Sequence, residues 1–287
     1  MSALRTLDHV VVVVADLERA SANYTAVIGR APGWRGEHPG QGTANALFPL
    51  ANCYVELLAA RGDGPLGDAV RRRIAERGEG LAALAFGTDD AGACAAAWRG
   101  GGAEVSGPRD GGGRDADGAE RPWRTVGLAP DATRGVTVFA IEHLSAPLPV
   151  PSPTPSEVGA LDHVVVHSAD VDAARGVYGD ALGIRLALDR EFPQRGLRLL
   201  FFRVGGVTVE IAGRIGEAAG DDDRPDELWG LAYRVADVDA ARARLASAGI
   251  RVSEVRPGQK KGTRVFTVHE GTHGVATLMI MPEAVDA

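Results

Sequence analysis

Cysteine is scarce in this 287-residue chain: Cys53 and Cys94 are the only two, and they make neither a disulfide framework nor a zinc motif. Cys94 lies in the alanine-rich run 91–97 and reads as a small residue on a helix face. Long apolar runs are also missing. The stretch 10–14 is followed closely by Asp16, far short of the roughly 20 residues a membrane-spanning helix needs. No basic segment with a cleavage site opens the chain, so no signal peptide is expected and the cytoplasm is the expected compartment. Positive charge is in deficit. Lys and Arg total 31 against 38 Asp and Glu, giving a net charge of −7. That balance argues against broad binding to nucleic acid or an anionic membrane, either of which needs a positive surface. No phosphate loop, dinucleotide fingerprint or Ser–His–Asp arrangement occurs. Asp115-Ala116-Asp117-Gly118 has the start of a calcium loop without its twelfth-position Glu.

What is present is a repeat. Leu7-Asp8-His9 opens a β-branched run ending at Asp16, and Leu161-Asp162-His163 opens another ending at Asp170. Copies about half a chain apart imply a duplicated domain rather than a solenoid, and the length suits two domains with cores of their own. Alternate strand residues share a face. His9, Val11 and Val13 therefore look one way, as do His163, Val165 and His167.

Taken in order, Asp16 suits a helix N-cap and Gly29 its stop, with Leu17, Ala20, Tyr24 and Val27 on one stripe. Strands are expected at 43–48 and 52–59, with Tyr54, Glu56 and Leu58 on one face. Residues 61–80 read as an insertion holding a short amphipathic helix, and Arg71-Arg72-Arg73 as its solvated face. The pattern restarts with a strand at 81–87, a cap at Asp89 or Asp90 and a helix at 91–99. The Gly- and charge-rich stretch 107–122 reads as an unpacked loop. Residues 146–157 form a proline-rich linker between a first domain, 1–145, and a second, 158–287. The second repeats the scheme, with a Gly205-Gly206 hairpin turn, Thr208, Glu210 and Ala212 on one strand face, and a last copy starting at Leu231. His269 and His273 fall in a loop-like run and read as turn residues. His38 reads the same way, although its glycine-rich neighbours leave room for a ligand. The four tryptophans, Trp34, Trp98, Trp123 and Trp229, either pack or line a cavity.

Four βαβββ modules, the Leu-Asp-His openings, the run His38-Pro39-Gly40-Gln41-Gly42-Thr43-Ala44-Asn45-Ala46 and the segment Tyr54-Val55-Glu56-Leu57-Leu58 together resemble the vicinal oxygen chelate (VOC) superfamily of glyoxalases, epimerases, dioxygenases and bleomycin-resistance proteins. The first domain is most similar to its glyoxalase-like branch. The resemblance implies an α+β fold of two tandem domains, whose modules pair into half-barrel cavities around a divalent metal. It carries the metal ligands onto His9 and Glu56, and onto His163 and Glu210. Fe, Mn, Ni or Zn suits such imidazole and carboxylate ligands. The third and fourth ligands depart from the family pattern. The matching positions in the second and fourth modules are Ala83 and Gly230, neither of which binds metal. The closing strand of the first domain offers Glu142 or His143, according to register. That of the second offers nothing, which leaves His269 as a substitute. An extradiol dioxygenase is disfavoured for the same reason.

The function implied is a small-molecule enzyme, a lyase, isomerase or oxygenase acting on an oxygen-rich substrate, with Glu56 or Glu210 able to carry a proton. The alternative is a metal-free protein that sequesters a small molecule such as an antibiotic. An aromatic content of 5% weakens the version in which an aromatic-lined groove holds a drug. Monomer and homodimer are both compatible with this reading.

Overall fold

Four aspartates set the rhythm of the fold. Asp16, Asp90, Asp170 and Asp237 each leave a strand in an extended conformation and accept a hydrogen bond from a backbone N–H in the first turn of the helix that follows. Such caps satisfy one of the unpaired donors at a helix start and contribute about 1 kcal/mol each. The computed structural model describes residues 4–216 and 224–282.

The first module runs β1 (Thr6–Val13), α1 (Leu17–Ile28), β2 (Trp34–His38), β3 (Thr43–Pro49) and β4 (Tyr54–Ala60). Helix α2 (Pro65–Arg77) follows. The second module is β5 (Gly80–Gly87), α3 (Ala91–Gly100), β6 (Val105–Arg114), β7 (Glu120–Leu128) and β8 (Thr137–His143). The third is β9 (Val158–His167), α4 (Val171–Arg175) running on as a π-helical turn, β10 (Arg185–Phe192), β11 (Leu197–Val204) and β12 (Val207–Arg214). The fourth is β13 (Glu227–Val235), α5 (Val238–Ser247), β14 (Arg256–Pro257), β15 (Arg264–Val268) and β16 (Ala276–Met281).

These are four βαβββ modules in an α+β chain of two tandem sheets. The first two modules close into a barrel of order β1-β4-β3-β2-β6-β7-β8-β5, and the last two form an eight-stranded sheet of order β10-β11-β12-β9-β13-β16-β15-β14. The barrel explains the unbroken valine run in β1. Val10 and Val12 pack outward against the helices, while Val11 and Val13 pack inward with Leu58 and Ala83.

Two features differ from the sequence reading. Strands β2 and β10 were not expected. The stretch 107–122 is no loop, because most of it lies in the β6–β7 hairpin, whose register brings Arg114 opposite Glu120 and Asp110 opposite Arg124. Those two pairs are ion pairs, so charges that read as solvated stitch two barrel staves together. Glycine serves there because a Cβ on Gly111 would stand 2.5 Å from the Trp123 indole nitrogen. The 61–80 insertion forms the amphipathic helix its spacing predicts, α2, and packs Val70 and Ile74 onto the inner cluster of Val11, Val13, Leu58 and Ala83. It is held at its start by the Gly67 N–H bonding Gln41 O.

The two sheets share one apolar core and are tied by polar contacts. Asn52 bonds both the N–H (3.0 Å) and the C=O (2.8 Å) of Leu161. His273, read as a turn residue, is buried at this junction. Its ring contacts Glu79 Oε2 (3.0 Å) and Asn23 Nδ2 (3.0 Å).

Candidate active site

The interior of the barrel opens into a cavity of about 1300 Å³. His9 projects into it from β1 and is 3 % exposed. It is wedged between Tyr54, stacked at 4.5 Å, and the edge of Phe139 at 5.6 Å. The parallel pairing of β1 with β4 sets Val11 opposite Glu56, so the imidazole and the carboxylate meet inside, His9 Nε2 lying 3.4 Å from Glu56 Oε2.

The protons in this cluster can be assigned. Burial pushes the Asp8 carboxyl up, but hydrogen bonds and charge from His143 and His9 outweigh it and hold Asp8 far below the usual carboxylate range. An ionised carboxylate only accepts. His9 Nδ1–H therefore donates to Asp8 Oδ1 (2.6 Å), and His143 Nε2–H donates to the same carboxylate (3.1 and 3.2 Å). His9 Nε2 faces Glu56 Oε2, and two such atoms at that separation need a proton or a cation between them. On the far side Asn45 Nδ2–H donates to Glu56 Oε1 (2.7 Å) and to His38 Nε2 (3.2 Å). This leaves the His38 proton on Nδ1, against Thr43 Oγ1 (2.8 Å). Burial lowers the His38 pKa, which keeps that ring neutral. Two buried polar atoms, Asn45 Oδ1 and His143 Nδ1, have no partner among the described residues.

The register left open in β8 is resolved. Odd-numbered residues of β8, from Thr137 to His143, line the cavity. Glu142 points away and accepts the Ala91 N–H at the start of α3 (3.0 Å). Glu142 is thus a helix-end acceptor and does not stand beside His9. Ala83 pairs with Val11 across β1–β5 and brings no ligand.

The second sheet repeats the opening of the site without completing it. His163 Nδ1–H donates to Asp162 Oδ1 (2.9 Å), but the other oxygen of Asp162 is taken by Arg234 Nε (2.6 Å). Burial raises the Asp162 pKa, and the His163 and Arg234 hydrogen bonds reverse this and hold it at about 2. Glu210 has the place that Glu56 has in the barrel. Position 230 has no room for a ligand, since a Cβ there would lie 2.5 Å from Ala276 O. His269 does not replace it. It sits exposed beyond the end of β15, its N–H on Arg251 O, and two strands separate β15 from β9. His167 stacks on Trp229 at 4.9 Å.

Glu210 has no hydrogen bond among the described residues, and burial raises its pKa ahead of the opposing His163 charge. A raised carboxyl pKa favours folding while the group is protonated, and that advantage is lost as pH rises through the folded-state value. Glu210→Gln is therefore expected to stabilise the protein at pH 8 by about 1 kcal/mol and to leave it unchanged at pH 4. Thermal melts at both pH values check this, and equal shifts at both would refute it.

Of the residues gathered around His9, the sequence reading offers His143 as the alternative to Glu142, and does not single out Asp8 or Asn45. The repeated Asp-His dipeptide was the available signal for Asp8. Nothing local pointed to Asn45.

A paired-module barrel with a His–Glu couple inside it defines the class of fold. Residues 7–158, just over half the chain, match the glyoxalase-like domain model, and residues 162–267 match the glyoxalase/bleomycin resistance protein/dioxygenase superfamily model. The chain belongs to the glyoxalase-like family of the VOC superfamily. An ethylmalonyl-CoA/methylmalonyl-CoA epimerase of Cereibacter sphaeroides is 28% identical over 131 residues, which is 44% of this chain and 90% of that protein. Two solved structures share the fold. A triple mutant of 4-hydroxymandelate synthase from Streptomyces coelicolor has 16% identity and a TM-score of 0.68, covering 98% of this chain and 93% of its own. A hypothetical protein from Staphylococcus aureus has 12% identity and a TM-score of 0.64, covering 96% and 98%.

Proposed function

We propose that the first domain is a small-molecule enzyme centre that moves a proton beside a carbonyl group of an oxygen-rich substrate, with Glu56 Oε2 as the working oxygen. The observation that carries this reading is the His9–Glu56 pair. It is buried, aimed into the cavity and anchored on both sides, by Asp8 behind His9 and by Asn45 behind Glu56. Proton transfer next to a carbonyl is also the chemistry the epimerase relative's name implies for its CoA ester substrates.

The donor set fits a divalent ion. Two ligands each about 2.1 Å from one ion can stand at the separation of His9 Nε2 and Glu56 Oε2, and a ligating histidine usually donates its other N–H to a carboxylate, as His9 does to Asp8. Fe, Mn, Ni or Zn bound there would polarise the substrate carbonyl and stabilise the charge of its enolate. Among the described residues no group of three His, Cys, Asp or Glu is arranged around one point, so the remaining positions would be left to water and substrate oxygens. Tyr54 and Phe139 hold the His9 ring and keep bulk water from it. In the second domain His163 and Glu210 stay a candidate pair, weakened by Arg234 on Asp162.

Two measurements test the reading. Elemental mass spectrometry is expected to find about one equivalent of metal, lost in His9→Ala and Glu56→Gln and kept in His163→Ala. With methylmalonyl-CoA in D2O as probe, deuterium wash-in at the carbon beside the thioester is expected to slow at least about a hundredfold in Glu56→Gln. Wash-in dependent on Glu56 without bound metal would point to acid–base chemistry alone. Neither metal nor wash-in would favour sequestration of a small molecule.

A further inference from the structure

Part of the cavity has a charge opposite to that of the whole protein. Arg72, Arg73 and Arg77 on α2, Arg109 on β6 and Arg121 on β7 all line it, and among the described residues none of the five has a carboxylate at ion-pair distance. Arg73 bonds only backbone oxygens, at Gly78 (2.8 Å) and Leu81 (3.3 Å). Arg121 bonds Ala146 O (3.1 Å) and lies over the Trp34 ring at 5.6 Å. Of the acids on the same wall, Glu79 is held by His273 and the Ala15 N–H, Asp110 by Arg124 and Asp226 by Arg134. Glu227 attracts the charge of Arg73, which leaves Arg72, Arg77, Arg109 and Arg121 with Glu76 on this side of the cavity, in a chain of net charge −7.

A cluster of like charges at a cavity mouth repels itself unless it focuses an anion there, and guanidinium is the group that best matches phosphate or carboxylate oxygens. The second domain adds a flat surface beside it. Trp229 lines the same cavity and is 51% exposed although one face rests on His167. The start of β13 is held in this position by the Asp226 N–H on Arg134 O (2.6 Å) and the Arg134–Asp226 ion pair. The cavity volume of about 1300 Å³ exceeds the roughly 300–1,000 Å³ of an ordinary ligand pocket, leaving room for a long tail behind the reacting end.

We infer that the substrate carries a polyanionic tail ending in a planar ring, bound between the arginines of α2 and β6 and Trp229 of the second domain, while its reacting end lies at His9. This inference rests on the proposed reaction centre for where the substrate points, and it gives the second domain a part in recognition at the first.

The test is isothermal titration of the full chain with coenzyme A, which has both phosphates and a purine, and separately with inorganic pyrophosphate and with citrate. Coenzyme A is expected to bind, more weakly as salt rises. Arg77→Gln/Arg109→Gln, changing two exposed side chains that hold no other part of the described structure, is expected to weaken it at least tenfold. Trp229→Ala is expected to weaken coenzyme A and leave pyrophosphate unchanged. Binding of pyrophosphate without citrate assigns the tail to phosphate, and the reverse assigns it to carboxylate. Absence of binding by all three probes, or binding unaffected by the arginine pair, overturns the inference. His9→Ala separates the two ideas: it is expected to keep coenzyme A binding whatever becomes of metal and turnover, so the reaction centre can fail while the anion wall stands.

Discussion

Asp8→Asn is expected to lower the affinity of the His9–Glu56 pair for a divalent ion by about ten- to a hundredfold, with far-UV circular dichroism unchanged. The reason is a proton count. Asp8 accepts from His9 Nδ1–H and from His143 Nε2–H at once, with both carboxylate oxygens within reach of His143. An amide keeps one acceptor oxygen and puts N–H donors in place of the other, so one imidazole is met by a donor and is pressed to present a lone pair to it instead. If that imidazole is His9, its proton moves to Nε2, the atom facing Glu56, and the nitrogen a metal requires is blocked. Nitrogen-15 chemical shifts of the His9 ring read the tautomer directly, and metal titration reads the affinity. An unchanged tautomer together with unchanged affinity would remove Asp8 from the site. Asp162→Asn is the matched control. There Arg234 shares the carboxylate, and the metal content of the barrel is expected to stay as in wild type.

Arg244→Ala is expected to cost about 3 kcal/mol and to split a single denaturation transition into two. The last carbonyls of α1 have no partner within the helix, and α1 has no basic residue in its last turn. Arg244, from α5 in the other domain, supplies both needs. Its guanidinium donates to Ala26 O, to Val27 O (3.0 Å) and, through Nε, to Ser156 O of the connecting segment (3.2 Å). It also places a cation at the negative end of the α1 dipole. Burial lowers the Arg244 pKa, opposed by Glu157. Removing the side chain strands part-buried carbonyls at a junction where Gly29 also lies close to the connecting segment and to Arg244 itself, since a Cβ there would meet Glu157 at 2.6 Å and the Arg244 guanidinium at 3.2 Å. Urea titration followed by tryptophan fluorescence checks both parts, with the slope of each transition reporting the surface it exposes. Arg244→Lys keeps the charge but cannot span three carbonyls, so a partial recovery is expected. A single transition with a loss below about 1 kcal/mol would show that the junction does not depend on this residue.

The chain by itself determined its modules, because modules are local. Each needs a β-branched strand, an aspartate to cap a helix and a stripe at helical spacing, and all of these are sequence neighbours. Asp16, Asp170, Gly29 and the Tyr24 stripe were legible for that reason. So was the meeting of His9 with Glu56, once family resemblance set one strand beside the other. What the tertiary structure decided depends on groups far apart in sequence or on parity. A strand shows opposite faces to opposite environments every second residue, so Glu142 and His143 could not be told apart until the pairing of β7 with β8 was known. Asp8 meets His143 across 135 positions, and Glu79 meets His273 across 194; no local pattern encodes either contact. The β6–β7 hairpin reads as a loop because its stability comes from paired charges and a tryptophan over glycine, rather than from apolar alternation. The arginines of α2 read as solvated because helical periodicity reports only the apolar side of a helix. That their polar side borders the cavity follows from where Val70 and Ile74 are buried, and only the closed barrel supplies that place.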